Sequence, residues 1–233
     1  MSAGPGSGRG SSRVEREQGA LSRDDSRSGW VAPEVATELP GLGLRYALVD
    51  RGSGRSSREL RRRLRELSDR FSGPQAIHLR ERPVPHAYRV FYRHIGLDPD
   101  EQPTPVEALA LERIKDGGFR SHNVLDDALT IATIETGVAM RAFDGDEVEG
   151  GIGIRAGLPG EELEGRPGEL PSGTLVIADD RRPLGLLFGA VAAGRGVGSR
   201  TRRTLLCAIR VKGVPDLAVD EAIWLAREVI AGE

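Results

Sequence analysis

The stretch FRSHNVLDDALTIATIETGVAMRAFD, residues 119–144, sets His122, Asn123, Asp126 and Asp127 at one end of a helical apolar run and Arg141 and Asp144 just past the other. Two such clusters could form the rim of a pocket, in which a guanidinium stabilises negative charge developing on a reacting oxygen. Each cluster also has an ordinary explanation. Ser121 or Asn123 can cap the helix, with the acids favouring its positive end. Arg141 can pair with Asp144 at the surface, for little gain.

A second stretch, FGAVAAGRGVGSRTRRTLL, residues 188–206, is built to be approached. Gly189, Ala193, Gly194, Gly196 and Gly198 leave the backbone open, Arg195, Arg200, Arg202 and Arg203 supply charge, and Thr201 and Thr204 supply hydroxyls. That combination suits a nucleic-acid backbone or a ribose end; a flexible loop between two strands has the same composition. Stronger signatures are absent. There is no G-x-x-x-x-G-K-[ST], G-x-S-x-G or H-E-x-x-H, and the single cysteine, Cys207, excludes a cysteine-pair metal site. His86 and His94 stand two helical turns apart, too far for the chelation a helical pair uses, so both are read as structural or solvent-facing. No metal and no cofactor are expected.

The elements that must hold these residues follow from periodicity. Residues 1–29 are Gly, Ser, Arg and acids without apolar pattern and are expected to be a disordered tail. From Trp30 short apolar runs begin, ending in a strand over Leu44–Val49. In SSRELRRRLRELSDRF, Ser57 is the expected N-cap and Leu60, Leu64, Leu67 and Phe71 form the buried stripe, leaving Arg61, Arg62, Arg63 and Arg65 in solvent. The next helix turns Tyr88, Phe91, Tyr92 and Ile95 inward and stops near Gly96. After a proline-rich corner, Thr104 and Glu107 form a capping box. Leu125, Leu129, Ala132 and Thr133 mark a third helix, closed by Gly137. Beyond it GGIGIRAG, GTLVIADD, LGLLFGAVA and TLLCAIRV read as strands, and DLAVDEAIWLAREVIAGE as a closing helix with Leu217, Ile223, Trp224 and Val229 inward. The class is α+β, a β-sheet flanked by helices.

Composition narrows the setting. With 233 residues, one sizeable domain over residues 30–233 is expected, and a net charge of -2 makes any affinity for phosphates a matter of local asymmetry. One cysteine and no long apolar run point to a soluble protein of a reducing compartment, the cytoplasm, with no membrane partner.

The order of motifs carries a resemblance. A Tyr-Arg helix ending in Gly-x-Asp-Pro, a Pro-x-Glu-Ala-Leu helix, an Asn-x-x-Asp helix start, a Thr-Gly turn leading to Ala-Phe-Asp, and then Ile-x-Ile-Arg and Ile-Ala-Asp strands run from about residue 84 to about residue 210. This succession is similar to the B3/B4 editing domain of the bacterial phenylalanyl-tRNA synthetase β subunit and its free-standing relatives. The resemblance implies a B3/B4-like domain with a pocket between sheet and helices that receives the aminoacylated 3′ end of transfer RNA. It also implies hydrolysis of mischarged aminoacyl ester in trans, by positioning the ester and a water. The alternative is a non-catalytic RNA- or amino-acid-binding module.

Carried over residue by residue, Asn123 and Asp126 fall on the Asn-x-x-Asp start, and Ala142, Phe143 and Asp144 on Ala-Phe-Asp. Gly189 falls on the pocket-floor glycine and Thr201 on the residue opening the next strand. With the reading of the polar clusters, this puts the expected catalysis on Asn123, Arg141, Gly189 and Thr201 and substrate contact on His122, Asp126, Phe143 and Asp144. Arg61, Arg62, Arg65, Arg200, Arg202 and Arg203 are expected to meet the RNA backbone. Two positions depart: Arg141 stands where many synthetases have histidine, and Cys207 where they have an acid associated with recognising the tyrosine hydroxyl. Specificity for tyrosine therefore does not carry over.

Overall fold

The run TLLCAIR, Thr204–Arg210, shows no polar alternation, and a strand of that kind must be covered on both faces. A computed structural model, describing residues 26–71 and 78–233, places it accordingly. Counting in chain order, the strands are β1 Arg27–Ser28, β2 Trp30–Val31, β3 Gly43–Val49, β4 Ala139–Asp144, β5 Gly153–Ala156, β6 Leu175–Ala178, β7 Pro183–Leu186 and β8 Thr204–Arg210. The helices are α1 Pro33–Glu38, α2 Arg58–Arg70, α3 Pro83–His94, α4 Pro105–Asp116, α5 Val124–Thr136 and α6 Asp216–Ala231. β8 is central in an antiparallel sheet of order β1-β3-β8-β4.

A second sheet, β2-β5-β6-β7, has β2 parallel to β5 and the other pairs antiparallel. The fold is therefore α+β with its strands divided between two sheets. Gly29 is where the chain passes from one to the other: its N–H bonds Leu44 O at 2.8 Å, while the next N–H bonds Ile152 O at 3.1 Å. A side chain there would put Cβ 2.7 Å from that same Ile152 oxygen, so only glycine allows the crossing.

Helices α5 and α6 pack on each other, α5 against β4 and α6 against β8 and β3. On the side of Phe143, the second sheet approaches so closely that a Cβ on Gly185 would lie 3.2 Å from the Phe143 ring. Local chemistry fixes the helix ends as expected. Ser57 caps α2, Thr104 and Glu107 close the box on α4, and Gly137, at a φ of 77°, ends α5.

Three expectations change. The tail expected through residue 29 lies outside the described residues as far as residue 25, but Arg27 and Ser28 pair with β3. Leu217, expected inside, is 66% exposed, because the inward face of α6 is set by Val219, Ala222, Ile223 and Ala226. Arg195, read as a surface cation, is buried and paired with Glu147 at 2.5 Å and Glu164 at 3.2 Å.

Tyr88 of α3 closes one end of the first sheet. Its hydroxyl donates to Ile209 O and accepts from Ala139 N, the latter at 3.0 Å, in a fully buried setting. Tyr88→Phe should cost about 1–3 kcal/mol by leaving both backbone groups unsatisfied, which urea denaturation of the two proteins would measure.

Candidate functional site

The polar cluster at the start of α5 is an anchor. Asn123 is the N-cap: its Oδ1 accepts from Asp126 N at 3.0 Å and its Nδ2 donates to Asp126 Oδ2 at 2.6 Å. Asp127 is buried and accepts from Ser56 Oγ at 2.6 Å, Ser121 Oγ at 2.5 Å and His122 N at 2.9 Å. Val124 N adds a bond to Gly54 O at 2.9 Å, so the loop before α2 is tied to this helix end. His122 contributes its backbone to the anchor, while its side chain is exposed.

At the other end, β4 alternates. Asp144 does not pair with Arg141. Its Oδ2 accepts from Thr201 Oγ1 at 2.5 Å, and that hydroxyl accepts from Gly198 N at 3.0 Å, which latches the 195–203 loop onto the strand end. Because α5 and β4 run antiparallel through the Gly137 turn, the Asn123 cap and the Asp144–Thr201 latch lie at the same end of the molecule.

Arg141 and Phe143 share the face of β4 directed at the second sheet. Arg141 Nη1 donates to Gly189 O at 2.6 Å, and its Cζ lies 6.0 Å from the centre of the Phe143 ring. Its other terminal nitrogen, Nη2, is buried and has no hydrogen-bond partner among the described residues. Burial holds this guanidinium below its ordinary pKa; the groups acting in the opposite sense are Cys207, its register partner on β8, and Tyr92 of α3. Both are themselves pushed up by burial and stay neutral, with Arg141 pulling each slightly back. No carboxylate pairs with Arg141 among the described residues. A guanidinium N–H in such a setting can donate to an anion or to a carbonyl oxygen gaining charge.

Phe188, just before Gly189, packs its ring 5.0 Å from Tyr92 and also lines a cavity of about 520 Å³. Leu175, Leu186 and Leu187 give that cavity apolar walls, and Gln102, Arg166 and Thr174 give it polar groups. The Phe188–Gly189 segment thus separates the cavity from the Arg141 environment. Of the expected catalytic residues, Arg141 and Gly189 meet here, while Asn123 and Thr201 serve the anchors at the strand end.

The arginines expected at RNA divide too. Arg62 is engaged by Glu59 and Glu66, each at 2.5 Å, Arg61 Nε bonds Ser57 O at 3.1 Å, and Arg203 pairs with Asp146 at 2.7 Å. Arg65, Arg200 and Arg202 are exposed, and their side chains have no ion pair among the described residues. Arg51, Arg55 and Arg58 join the basic end without having been expected there. Thr204 Oγ1 bonds Arg51 O at 2.6 Å, and a Cβ on Gly52 would sit 2.0 Å from Thr201 O, so this loop lies directly on the 195–203 loop. Its Gly-Ser-Gly-Arg composition reads as a linker; Gly52 was the available signal.

Among the described residues no group of three or more His, Cys, Asp or Glu could hold a metal ion, and no helix is long and apolar enough to cross a membrane.

The B3/4 domain family matches residues 87–214, and the chain belongs to that family. It is similar to the phenylalanine–tRNA ligase beta subunit of Yersinia pestis, 37% identical over 100 residues, 41% of this chain and 12% of that subunit. The corresponding subunit of Neisseria meningitidis serogroup A is 34% identical over 128 residues, 52% of this chain and 14% of the subunit. That of Hahella chejuensis is 35% identical over 105 residues, 44% of this chain and 13% of the subunit. The similarity therefore spans a small fraction of these relatives.

The contrast with Arg89 gives a test. Arg89 is buried, whereas Arg141 is half-buried with its Nη2 covered, and Arg89 bonds Glu107 at 2.7 Å and Asp100 at 2.6 Å. Arg141→Met should leave stability unchanged or raise it, since it removes a desolvated charge without a counter-ion. Arg89→Met should cost about 3–5 kcal/mol, because Glu107 remains buried without its counter-ion. Chemical denaturation of both variants checks the difference; an equal loss would make Arg141 a structural residue.

Proposed function

We propose that this protein binds the aminoacylated 3′ end of transfer RNA in the cytoplasm and hydrolyses mischarged aminoacyl ester in trans. The observation that carries the reading is Arg141: a guanidinium without a carboxylate partner among the described residues, whose Nη1 donates to Gly189 O and whose Nη2 is unused. Membership of the B3/4 family and similarity to phenylalanine–tRNA ligase beta subunits support the choice of ligand.

In such a reaction water attacks the ester carbonyl carbon, the carbonyl oxygen gains negative charge, and collapse expels the ribose oxygen, which takes up a proton. Arg141 Nη2 supplies a donor to the charged oxygen, and the apolar, aromatic surroundings strengthen that bond by lowering the local dielectric. Cys207 takes no part as nucleophile, since its thiol is fully buried and held protonated. Proton transfer falls to water and to the neighbouring ribose hydroxyl. The exposed Arg65, Arg200 and Arg202, with Arg55 and Arg58, would hold the phosphates.

Purified protein tested against transfer RNAs charged with matched and mismatched amino acids should release one mismatch selectively. Arg141→Met should lower that rate roughly 100-fold without lowering the melting temperature, and Gly189→Trp should abolish it. Release of no amino acid, with transfer RNA binding intact, would make the protein a binding module instead.

The basic end is tested separately by salt. Affinity for transfer RNA should fall by about 0.7–0.9 log units per decade of salt for each phosphate contact. Reversing the charge of Arg65, Arg200 and Arg202 should flatten that slope by roughly two to three units; an unchanged slope would remove these residues from the interface.

A further inference from the structure

The outward side of α3 is left open by the fold. Tyr88 and Tyr92 point inward to Phe188, whereas His86, Val90 and His94 line up on the opposite side and are exposed, Val90 by 50%. Two turns of the chain complete a concavity against this side. Lys212 follows β8, and Leu39 ends α1; the two turns touch at Gly41, where a Cβ would lie 3.1 Å from the Lys212 backbone. The enclosed cavity is about 530 Å³, within the range of about 300–1,000 Å³ usual for small-molecule sites. Arg141 and Gly189 are not among its lining residues.

Its chemistry is one-sided. Leu39, Val90 and Phe91 give apolar walls, and among the described residues the only polar side chains lining it are Lys212, His86 and His94. No acid lines it, and among the described residues none of these three side chains has an ion pair or hydrogen bond. An apolar body with a cationic and donor-rich rim fits a ligand of complementary build.

We propose that this cavity binds a small amphiphilic carboxylate of the alkanoate class. Its chain lies against Leu39, Val90 and Phe91, and its carboxylate sits at the Lys212 ammonium. The site is independent of the Arg141 chemistry.

Calorimetric titration of the full chain with decanoate, decanol and decyltrimethylammonium tests it. Decanoate should bind saturably and at least about tenfold more tightly than decanol, and the cationic amphiphile should not bind. Lys212→Glu should weaken decanoate by about tenfold or more and leave decanol unchanged, while Val90→Trp, which fills the cavity from its solvent side, should abolish both. Lys212 is exposed, so its reversal tests the site even if Val90→Trp disturbs folding. Equal affinity for all three amphiphiles, indifference of decanoate to Lys212→Glu, or no saturable binding would each overturn the proposal.

Discussion

Six successive buried positions on β8 demand cover on both faces of the first sheet, and most of the architecture answers that demand. A sheet with one wet face would alternate; this one cannot. The α5–α6 pair supplies one layer and the second sheet, with Tyr88 of α3, supplies the other. The chain has to change sheets after β1 to do this, which it does within a single glycine, Gly29. Arg141 and Asp144 sit at the edge of this two-sided burial, on β4, where a residue facing the second sheet is neither in solvent nor in the core proper.

Arg141 occupies that position. Compared with Arg89, it keeps the desolvation cost and lacks the compensating carboxylates. Such an arrangement is unfavourable for folding alone, since a buried cation is ordinarily paired. An apolar residue would fill the same space against Phe143 and Tyr92 at lower cost. The presence of arginine there is physically intelligible if a ligand supplies the missing negative charge, and the surrounding aromatic rings then raise the value of the contact they make costly in its absence.

Much of this was legible in the sequence because it is written in local rules. Ser57, the Thr104–Glu107 pair, Asn123 and Gly137 mark helix ends through bonds to backbone groups within a few residues, and no tertiary knowledge is needed to place them. The apolar strand runs were equally plain, except that LGLLFGAVA is strand only as far as Leu186 and turns from Leu187. Periodicity gave the side of α6 less well: Leu217 lies in its first turn, ahead of the point where the helix meets β8. Arg195 misled for a different reason, since its partners Glu147 and Glu164 come from other loops and no spacing rule connects them. The candidate site was half legible for the same cause. Asn123 and Asp127 lie in one stretch with Arg141, but one folded end uses them as helix anchors, and the contact that matters, Arg141 to Gly189, joins residues 48 apart in sequence.

The two ends of β4 then divide the labour. At the Asp144 end, the Thr201 latch, the Gly52 contact and the Asp127 anchor bind three loops together by buried or half-buried hydrogen bonds, which gives the exposed arginines beside them a fixed spacing. Nearer the middle, Arg141 is held by a single bond to a carbonyl in an exposed segment, and its second nitrogen is left over. Rigid spacing suits recognition of a repeating phosphate chain, where position matters and each contact adds alike. An unfilled donor in a low-dielectric setting suits one oxygen whose charge grows as bonds change. Both lie on one short strand because β4 is the edge of its sheet: one end runs out into loops and the interior-facing side chains run into the second sheet, so six residues connect the exposed arginines with the Arg141 guanidinium.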